Sequence, residues 1–123
     1  MILFDSDILI YASDPDKSII RDFIAGQKNA SASIISLVEV LGYSKLLPPA
    51  KIFYDMLFDK MILLQITEEV IKEAIHLRQK KKMSLGDSII ACTAIVNKTT
   101  LITNNEKNFS WIEGLNIINP FKK

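Results

Sequence analysis

The sequence has few of the residues that would mark a secreted, membrane-spanning or disulfide-linked protein. It contains one cysteine, Cys92, so no intramolecular disulfide can form, and this suits a reducing cytoplasm. The longest apolar runs, such as Ile62–Leu64, are far shorter than the ~20 residues that cross a bilayer. No basic segment precedes an apolar one at the N-terminus, so no signal peptide is expected. We therefore expect a cytoplasmic protein without a membrane segment.

The sequence also has a single histidine and a net charge close to zero. The single histidine, His76, lies in a predicted helix and is expected on its solvated face, which argues against catalysis by a histidine-based triad. The net charge is +1, so overall charge neither favours nor excludes a nucleic-acid partner. The densest basic run is Arg78 followed by three lysines at 80–82. These cations can contact a phosphate backbone or stabilise the last turn of a helix, and the sequence leaves both possibilities open.

Strand and helix patterns alternate along the chain. With 123 residues, 49% hydrophobic and 24% charged, we expect one globular domain over residues 1–123. Alternation predicts βαβ units and therefore a parallel sheet. Strands are predicted at 2–4, 30–34, 61–66, 99–103 and 115–118, and helices at 15–25, 37–46, 49–58, 67–82 and 85–98.

The first strand runs directly into Asp5-Ser6-Asp7. Ligand sites in open α/β sheets lie beyond the carboxyl ends of the strands, so Asp5 is a candidate metal ligand or nucleophile. Asp7 is expected to cap a helix over residues 8–12, because aspartate accepts hydrogen bonds from the free N–H groups of a first helical turn.

Two further acids stand among apolar neighbours. Glu39 is expected in the first turn of the helix that follows the second strand, and Asp87 at the start of an apolar helix. Ser36-x-x-Glu39 matches a capping box, and Ser84-x-x-Asp87 is a shorter-armed version of one. Capping explains each acid singly, but it does not explain why acids should follow several strands of one sheet.

A metal site is the alternative to capping, because the carboxyl ends of parallel strands lie at the same edge of the sheet and bring these acids together. Carboxylates within ~5 Å of each other repel by about 3 kcal/mol per pair at an effective dielectric constant near 20, so they need protonation or a cation. Oxygen ligands without histidine or cysteine favour Mg²⁺ or Mn²⁺ over zinc.

Four segments of the sequence resemble the PIN-domain ribonucleases, particularly the VapC-type toxins. They are FDSDILIYA at 4–12, Ser33-x-x-Ser36-x-x-Glu39, LGDSIIACTA at 85–94, and LITNN at 101–105 with Phe109 and Ile118-Asn119-Pro120. Each segment is a weak signal alone, but the four together, in this order and at this spacing, are a strong one. The resemblance covers nearly the whole chain.

The resemblance implies a three-layer α/β/α fold with a central, mainly parallel sheet of about five strands. It also implies a Mg²⁺-dependent endoribonuclease, with Mn²⁺ as a possible substitute, an RNA substrate, a cognate antitoxin and a homodimer. Asp5, Glu39 and Asp87 take the places of the metal ligands, and Asn105 takes a supporting catalytic place.

One position departs from the family pattern. Asn108 stands where an aspartate is usual, so a second tightly held metal is in doubt. A catalytically weak scaffold that binds RNA or a protein partner is therefore the alternative function. Glu106 is not expected to replace the missing acid, because its offset from Asn105 points it elsewhere.

A haloacid-dehalogenase-like phosphatase is a more distant alternative. Asp5-Ser6-Asp7 resembles the nucleophile loop of those enzymes, and Gly86-Asp87-Ser88 resembles a later element. That element requires a second acid at position 91, where this chain has alanine, and 123 residues leave no room for a cap domain.

Residues 45–60 carry more apolar side chains than one helix face needs. Such an excess is typical of an interface or of a buried helix pair. The resemblance favours an interface with a second copy or with the antitoxin.

Overall fold

A computed structural model describes residues 1–122, which form a five-stranded sheet with helices on both faces. The elements follow one another as β1 (Ile2–Phe4), α1 (Ser6–Tyr11), a 3-10 helix (Pro15–Lys17), α2 (Ser18–Ala25), β2 (Ala30–Ser33), α3 (Ile34–Leu41), α4 (Pro48–Asp59), β3 (Ile62–Leu64), α5 (Glu68–Lys80), α6 (Leu85–Val96), β4 (Thr100–Ile102), α7 (Glu106–Phe109) and β5 (Ile117–Ile118).

The strands lie in the order β3-β2-β1-β4-β5, and each neighbouring pair is parallel. The first strand is therefore central, with Leu3 opposite Ser31 on one side and Leu101 on the other. Because all five strands point the same way, the segments that follow β1, β2 and β4 meet at one edge.

Alternate strand residues enter two cores. Leu3 and Leu101 face a core built with α5 and α6, while Phe4 and Ile102 face one built with the first four helices. All four side chains are fully buried. The predicted three-layer α/β/α fold is confirmed.

The second strand is one residue shorter than predicted, because Ser33 caps the following helix. Its hydroxyl accepts a hydrogen bond from the N–H of Ile35, 3.2 Å away. Helix α3 therefore begins at Ile34 rather than at residue 37, and the predicted capping box at Ser36 is wrong. Glu39 consequently lies in the second half of the helix and not in its first turn.

Two other helical predictions need correction. The predicted helix over 15–25 is a 3-10 helix followed by α2, and the break lies at Lys17, whose backbone leaves the helical region with φ −121° and ψ 42°. The short helix α7 was not predicted, since four residues show no apolar period. Among residues 1–122, no helix is long and apolar enough to cross a membrane.

Candidate active site

Asp5 is the most buried acid in the described part of the chain. It follows β1 and caps α1, where its Oδ1 accepts a hydrogen bond from the N–H of Ser6 at 2.8 Å. The hydroxyl of Thr103, at the end of β4, donates to its Oδ2 at 2.7 Å. Only 3% of the Asp5 surface is exposed. Two neighbouring strands thus fix one carboxyl group at the edge of the sheet.

Asp7 lies beside Asp5, and its predicted role is corrected. Asp5 caps the helix, which starts at Ser6, so Asp7 falls inside the first turn. Its Oδ1 accepts from the N–H of Ile8 at 2.7 Å and its Oδ2 from the N–H of Asn104 at 3.2 Å. Asp7 therefore belongs to the loop between β4 and α7 as much as to its own helix.

The two neighbouring carboxyl groups perturb each other. Burial, and then the negative charge of Asp7, raise the pKa of Asp5 from 3.8 to about 8. Burial also raises the pKa of Asp7, while a hydrogen bond from Asp5 opposes that rise. The charge of Asp87 raises the pKa of both groups further. Three aspartates therefore lie close enough to interact, one more than the sequence indicated at this point.

Asp87 is brought to this edge by the start of α6. Ser84 caps the helix by accepting a hydrogen bond from the N–H of Asp87 at 3.1 Å, so the predicted Ser84 cap is present. The carboxylate itself accepts from the side-chain amide of Asn108, with 3.1 Å between Nδ2 and Oδ2. The residue that stands at the usual aspartate position therefore contacts Asp87 directly.

Glu39 approaches from α3 on the other side. Its Oε1 accepts a hydrogen bond from the hydroxyl of Ser6 at 2.7 Å, and that hydroxyl also lies 2.8 Å from the hydroxyl of Ser36. Its Oε2 lies against Gly86, where an added Cβ would stand only 2.5 Å from the carboxylate oxygen. A side chain at position 86 would therefore displace the Glu39 carboxylate from its place beside the start of α6.

Asn105 contributes its backbone rather than its side chain. Its N–H donates to the Thr103 hydroxyl at 2.9 Å, and the same hydroxyl holds Asp5. Across residues 1–122 the Asn105 side chain has no hydrogen-bond partner, and the residue lies exposed at the start of α7. Glu106 turns away, as expected, and pairs with Lys122 at 2.6 Å. Ser6 and Thr103 are the site residues that sequence reasoning missed, although Thr103 directly follows β4 and Ser6 follows β1 by two residues.

We call the group of Asp5, Asp7, Glu39 and Asp87 the acidic edge. In the described part of the chain, every salt bridge involves some other acid, so no lysine or arginine balances these four. As the side chains stand over residues 1–122, no three of the acids converge on one coordination point. Their donor chemistry nevertheless fits a hard divalent ion, because oxygen-only carboxylate sites favour Mg²⁺ or Mn²⁺ and a cation would keep Asp5 ionised.

An apolar groove adjoins the acidic edge. It has a volume of about 480 Å³ and is lined by Glu39 together with side chains of α1, α3 and α4 and the segment before α4. Leu47, at its rim, is 68% exposed. In the predicted interface segment 45–60, Tyr54 and Phe58 belong to the core, while Ile52 and Met56 are exposed. That segment therefore divides between a buried face and a free apolar face.

Comparisons with known proteins agree with this geometry. The family model of the PIN domain matches residues 2–114. A toxin–antitoxin complex from Klebsiella pneumoniae contains a chain that is 26% identical, with a TM-score of 0.82 and coverage of 100% of both chains. The DNA-bound VapBC of Salmonella typhimurium contains a chain that is 20% identical, with a TM-score of 0.83 and coverage of 98% of this chain and 99% of that one. No match was found among curated proteins.

The match spans Asp5, Asp7, Glu39, Asp87 and Asn108. The chain belongs to the PIN domain family.

Proposed function

We propose that this protein is a metal-dependent endoribonuclease, using Mg²⁺ or Mn²⁺, and the toxin of a toxin–antitoxin pair. The observation that carries the proposal is the acidic edge. Three aspartates interact at the carboxyl ends of parallel strands, with the pKa of Asp5 raised to about 8, and in the described residues no basic side chain balances them. This is the arrangement that a divalent cation would stabilise.

Asp5 and Asp87 are proposed as the main ligands, with Asp7 as an additional carboxylate and Glu39 beside them. A bound Mg²⁺ supplies a lowered pKa for a coordinated water and neutralises charge on a phosphate. The protein supplies position: Thr103 and the N–H of Ser6 hold Asp5, and the hydroxyl of Ser6 holds Glu39.

The proposed reaction is hydrolysis of a phosphodiester bond. The oxygen of a water molecule forms a bond to phosphorus, and Glu39 accepts the proton that the water loses. The bond from phosphorus to the 3′ oxygen breaks, and that oxygen takes a proton from solvent. The products are a 5′-phosphate and a 3′-hydroxyl. No 2′-hydroxyl takes part, so the preference for RNA is proposed from the family and not from the chemistry.

A cognate antitoxin is the proposed partner. The similar structures from Klebsiella and Salmonella are a toxin–antitoxin complex and a VapBC complex. The groove beside Glu39 offers this chain an apolar surface with exposed Leu47 at its rim, which suits an amphipathic segment of a partner. We also propose a homodimer and a cytoplasmic location, as the resemblance implies.

A cleavage assay on the purified full chain tests the enzyme. We expect a labelled single-stranded RNA to be cut with Mg²⁺ or Mn²⁺ and left intact with EDTA. Asp5→Asn and Asp87→Asn should each lower the rate at least a hundredfold, whereas Asp22→Asn, an exposed acid on α2, should cut normally. A DNA of the same sequence serves as the substrate control.

Three outcomes would replace the proposal. RNA binding without turnover in any metal would support the scaffold alternative, for which Asn108 in contact with Asp87 is the structural argument. Metal-dependent cleavage that survives in both aspartate variants would show that the acidic edge is not the active site. A covalent phosphate on Asp5 would support a phosphatase. The structure argues against that function, because Ser88 of the Gly86-Asp87-Ser88 motif is fully buried and donates a hydrogen bond to the carbonyl of Leu85.

A further inference from the structure

We infer that residues 78–83, at the end of α5 and in the loop after it, bind the single-stranded RNA that reaches the acidic edge, together with Trp111. We call residues 78–83 the basic segment. The inference rests on the proposed nuclease function and names the surface that holds its substrate. Three independent features of the structure carry it: the place of the segment, its contact with Trp111, and its unbalanced charge.

The basic segment leads directly into the helix that carries Asp87. Helix α5 ends at Lys80, and Lys81 is already extended, with φ −157° and ψ 144°. The Nε of Arg78 donates to the carbonyl of Met83 at 3.2 Å, which fixes the turn. Ser84 then caps α6 through the N–H of Asp87. The cations and the acid are thus neighbours on one continuous stretch of backbone.

Trp111 contacts Lys81 of the basic segment, and it also contacts Asn108, which holds Asp87. The ammonium group of Lys81 lies 5.3 Å from the centroid of the Trp111 ring. The indole N–H donates to the carbonyl of Asn108 at 2.9 Å, and the amide of Asn108 donates to Asp87. A partly exposed aromatic ring is therefore held at a fixed distance from the acidic edge, with a cation above it.

The cations of the basic segment are not neutralised by ion pairs in the described chain. Arg78, Lys80, Lys81 and Lys82 form no salt bridge within residues 1–122. Favourable placement at a helix C-terminus explains Arg78 and Lys80 in the last turn, but Lys82 lies beyond the helix. The side chains of 78–83 line a depression of about 540 Å³. Cations gathered around a concave surface raise the local positive potential and attract an anion.

The combination of cations and a flat ring is typical of single-strand binding. Lysines neutralise backbone phosphates, and an aromatic face stacks an unpaired base whatever its identity. Lys80 and Trp111 also line a cavity that contains Glu73 and Glu113, so Arg78, Lys81 and Lys82 are the cations on which the inference depends. The surface is thus suited to a flexible, unpaired strand rather than to a duplex.

Binding is measured on the full chain in EDTA, where the RNA is not cut. A fluorescein-labelled single-stranded RNA of about 20 nucleotides is titrated at several salt concentrations and followed by anisotropy. Each phosphate contact contributes about 0.7 to the slope of log Kd against log salt for a single strand. The double variant Lys81→Gln/Lys82→Gln should lower that slope by about 1.4 and weaken binding about tenfold. The matched control is Lys28→Gln/Lys60→Gln, two exposed lysines outside the basic segment.

The unaltered protein provides a second measurement, because Trp111 is its single tryptophan. RNA should quench the indole fluorescence and protect it from acrylamide, with the same Kd that anisotropy gives. Equal slopes in the two double variants, or RNA binding that leaves the tryptophan signal unchanged, would overturn the inference. Tighter binding and stronger quenching by a polyglutamate peptide would assign the surface to an acidic protein instead.

The two proposals fail in different ways. If RNA binds through Lys81 and Lys82 but no metal supports cleavage, the nuclease function is wrong and the binding surface stands. If the double variant cleaves RNA with an unchanged KM, the function stands and the surface is wrong.

Discussion

Asp5→Asn should make the metal-free protein more stable at alkaline pH, although Asp5 is a proposed functional residue. The pKa of Asp5 is about 8 in the folded chain and 3.8 in the reference state, because burial and the neighbouring charge of Asp7 disfavour the ionised form. Between these values the folded state binds more protons than the unfolded chain. The free energy of unfolding of the wild type therefore falls as pH rises through this window.

The size of this effect follows from the width of the window. Between about pH 5 and about pH 8, Asp5 is protonated in the folded state and ionised in the unfolded state, so each pH unit costs about 1.36 kcal/mol. Three units amount to about 4 kcal/mol. The variant carries an amide at position 5 that does not titrate. The difference in free energy of unfolding between variant and wild type should therefore grow by about 4 kcal/mol over this range.

Urea denaturation in EDTA at several pH values measures that difference. Asp22→Asn, which neutralises an exposed acid, is the control and should follow the wild type at every pH. Adding Mg²⁺ at about pH 8 should then stabilise the wild type by about 2.7 kcal/mol at a hundred times its Kd, and the variant much less. A difference between variant and wild type that does not change with pH would refute the reasoning, because it would mean that Asp5 ionises normally in the folded chain.

Two further substitutions test separate contacts. Gly86→Ala should weaken Mn²⁺ binding, measured by calorimetry, because the new Cβ would stand 2.5 Å from Glu39 Oε2. The midpoint of thermal unfolding should not fall, since alanine favours helix over glycine. An unchanged Mn²⁺ affinity would show that Glu39 does not belong to the metal site. Tyr54→Phe should lower the free energy of unfolding by about 1 kcal/mol in a urea titration, because the Tyr54 hydroxyl is 2.8 Å from the Ile10 carbonyl and 2.9 Å from Ser13 Oγ. An unchanged free energy of unfolding would show that those two groups find other hydrogen-bond partners.

The architecture was predictable because the hydrophobic periods of strands and long helices extend over many residues. The five strands and the parallel sheet follow from that alternation, and so does the place of Asp5 beyond β1. Helix starts were less predictable, since they depend on which hydroxyl or carboxyl group acts as the cap. Ser33 and Asp5 took that role instead of Ser36 and Asp7, and each moved a boundary by one to three residues.

The candidate site was predictable in its acids and not in its supporting groups. Asp5, Glu39 and Asp87 could be picked out as charges among apolar residues. Thr103 and Ser6 are ordinary polar residues in sequence, and their role depends on contacts with partners 98 and 33 positions away. The sequence assigns Asp7 to capping only, because the N–H of Asn104 that its carboxylate accepts from lies 97 positions away.

The central position of β1 determines when the acidic edge can assemble during synthesis of the chain. Strand β1 is made first, but it pairs with β4, and Asp5 gains its Thr103 contact only when residue 103 is available. Asp87 likewise waits for Asn108. Since the N-terminal part of a chain leaves the ribosome first, a nascent chain shorter than about 108 residues has its early acids but no assembled centre. Assembly of the acidic edge is thus delayed until nearly all of these residues have been translated.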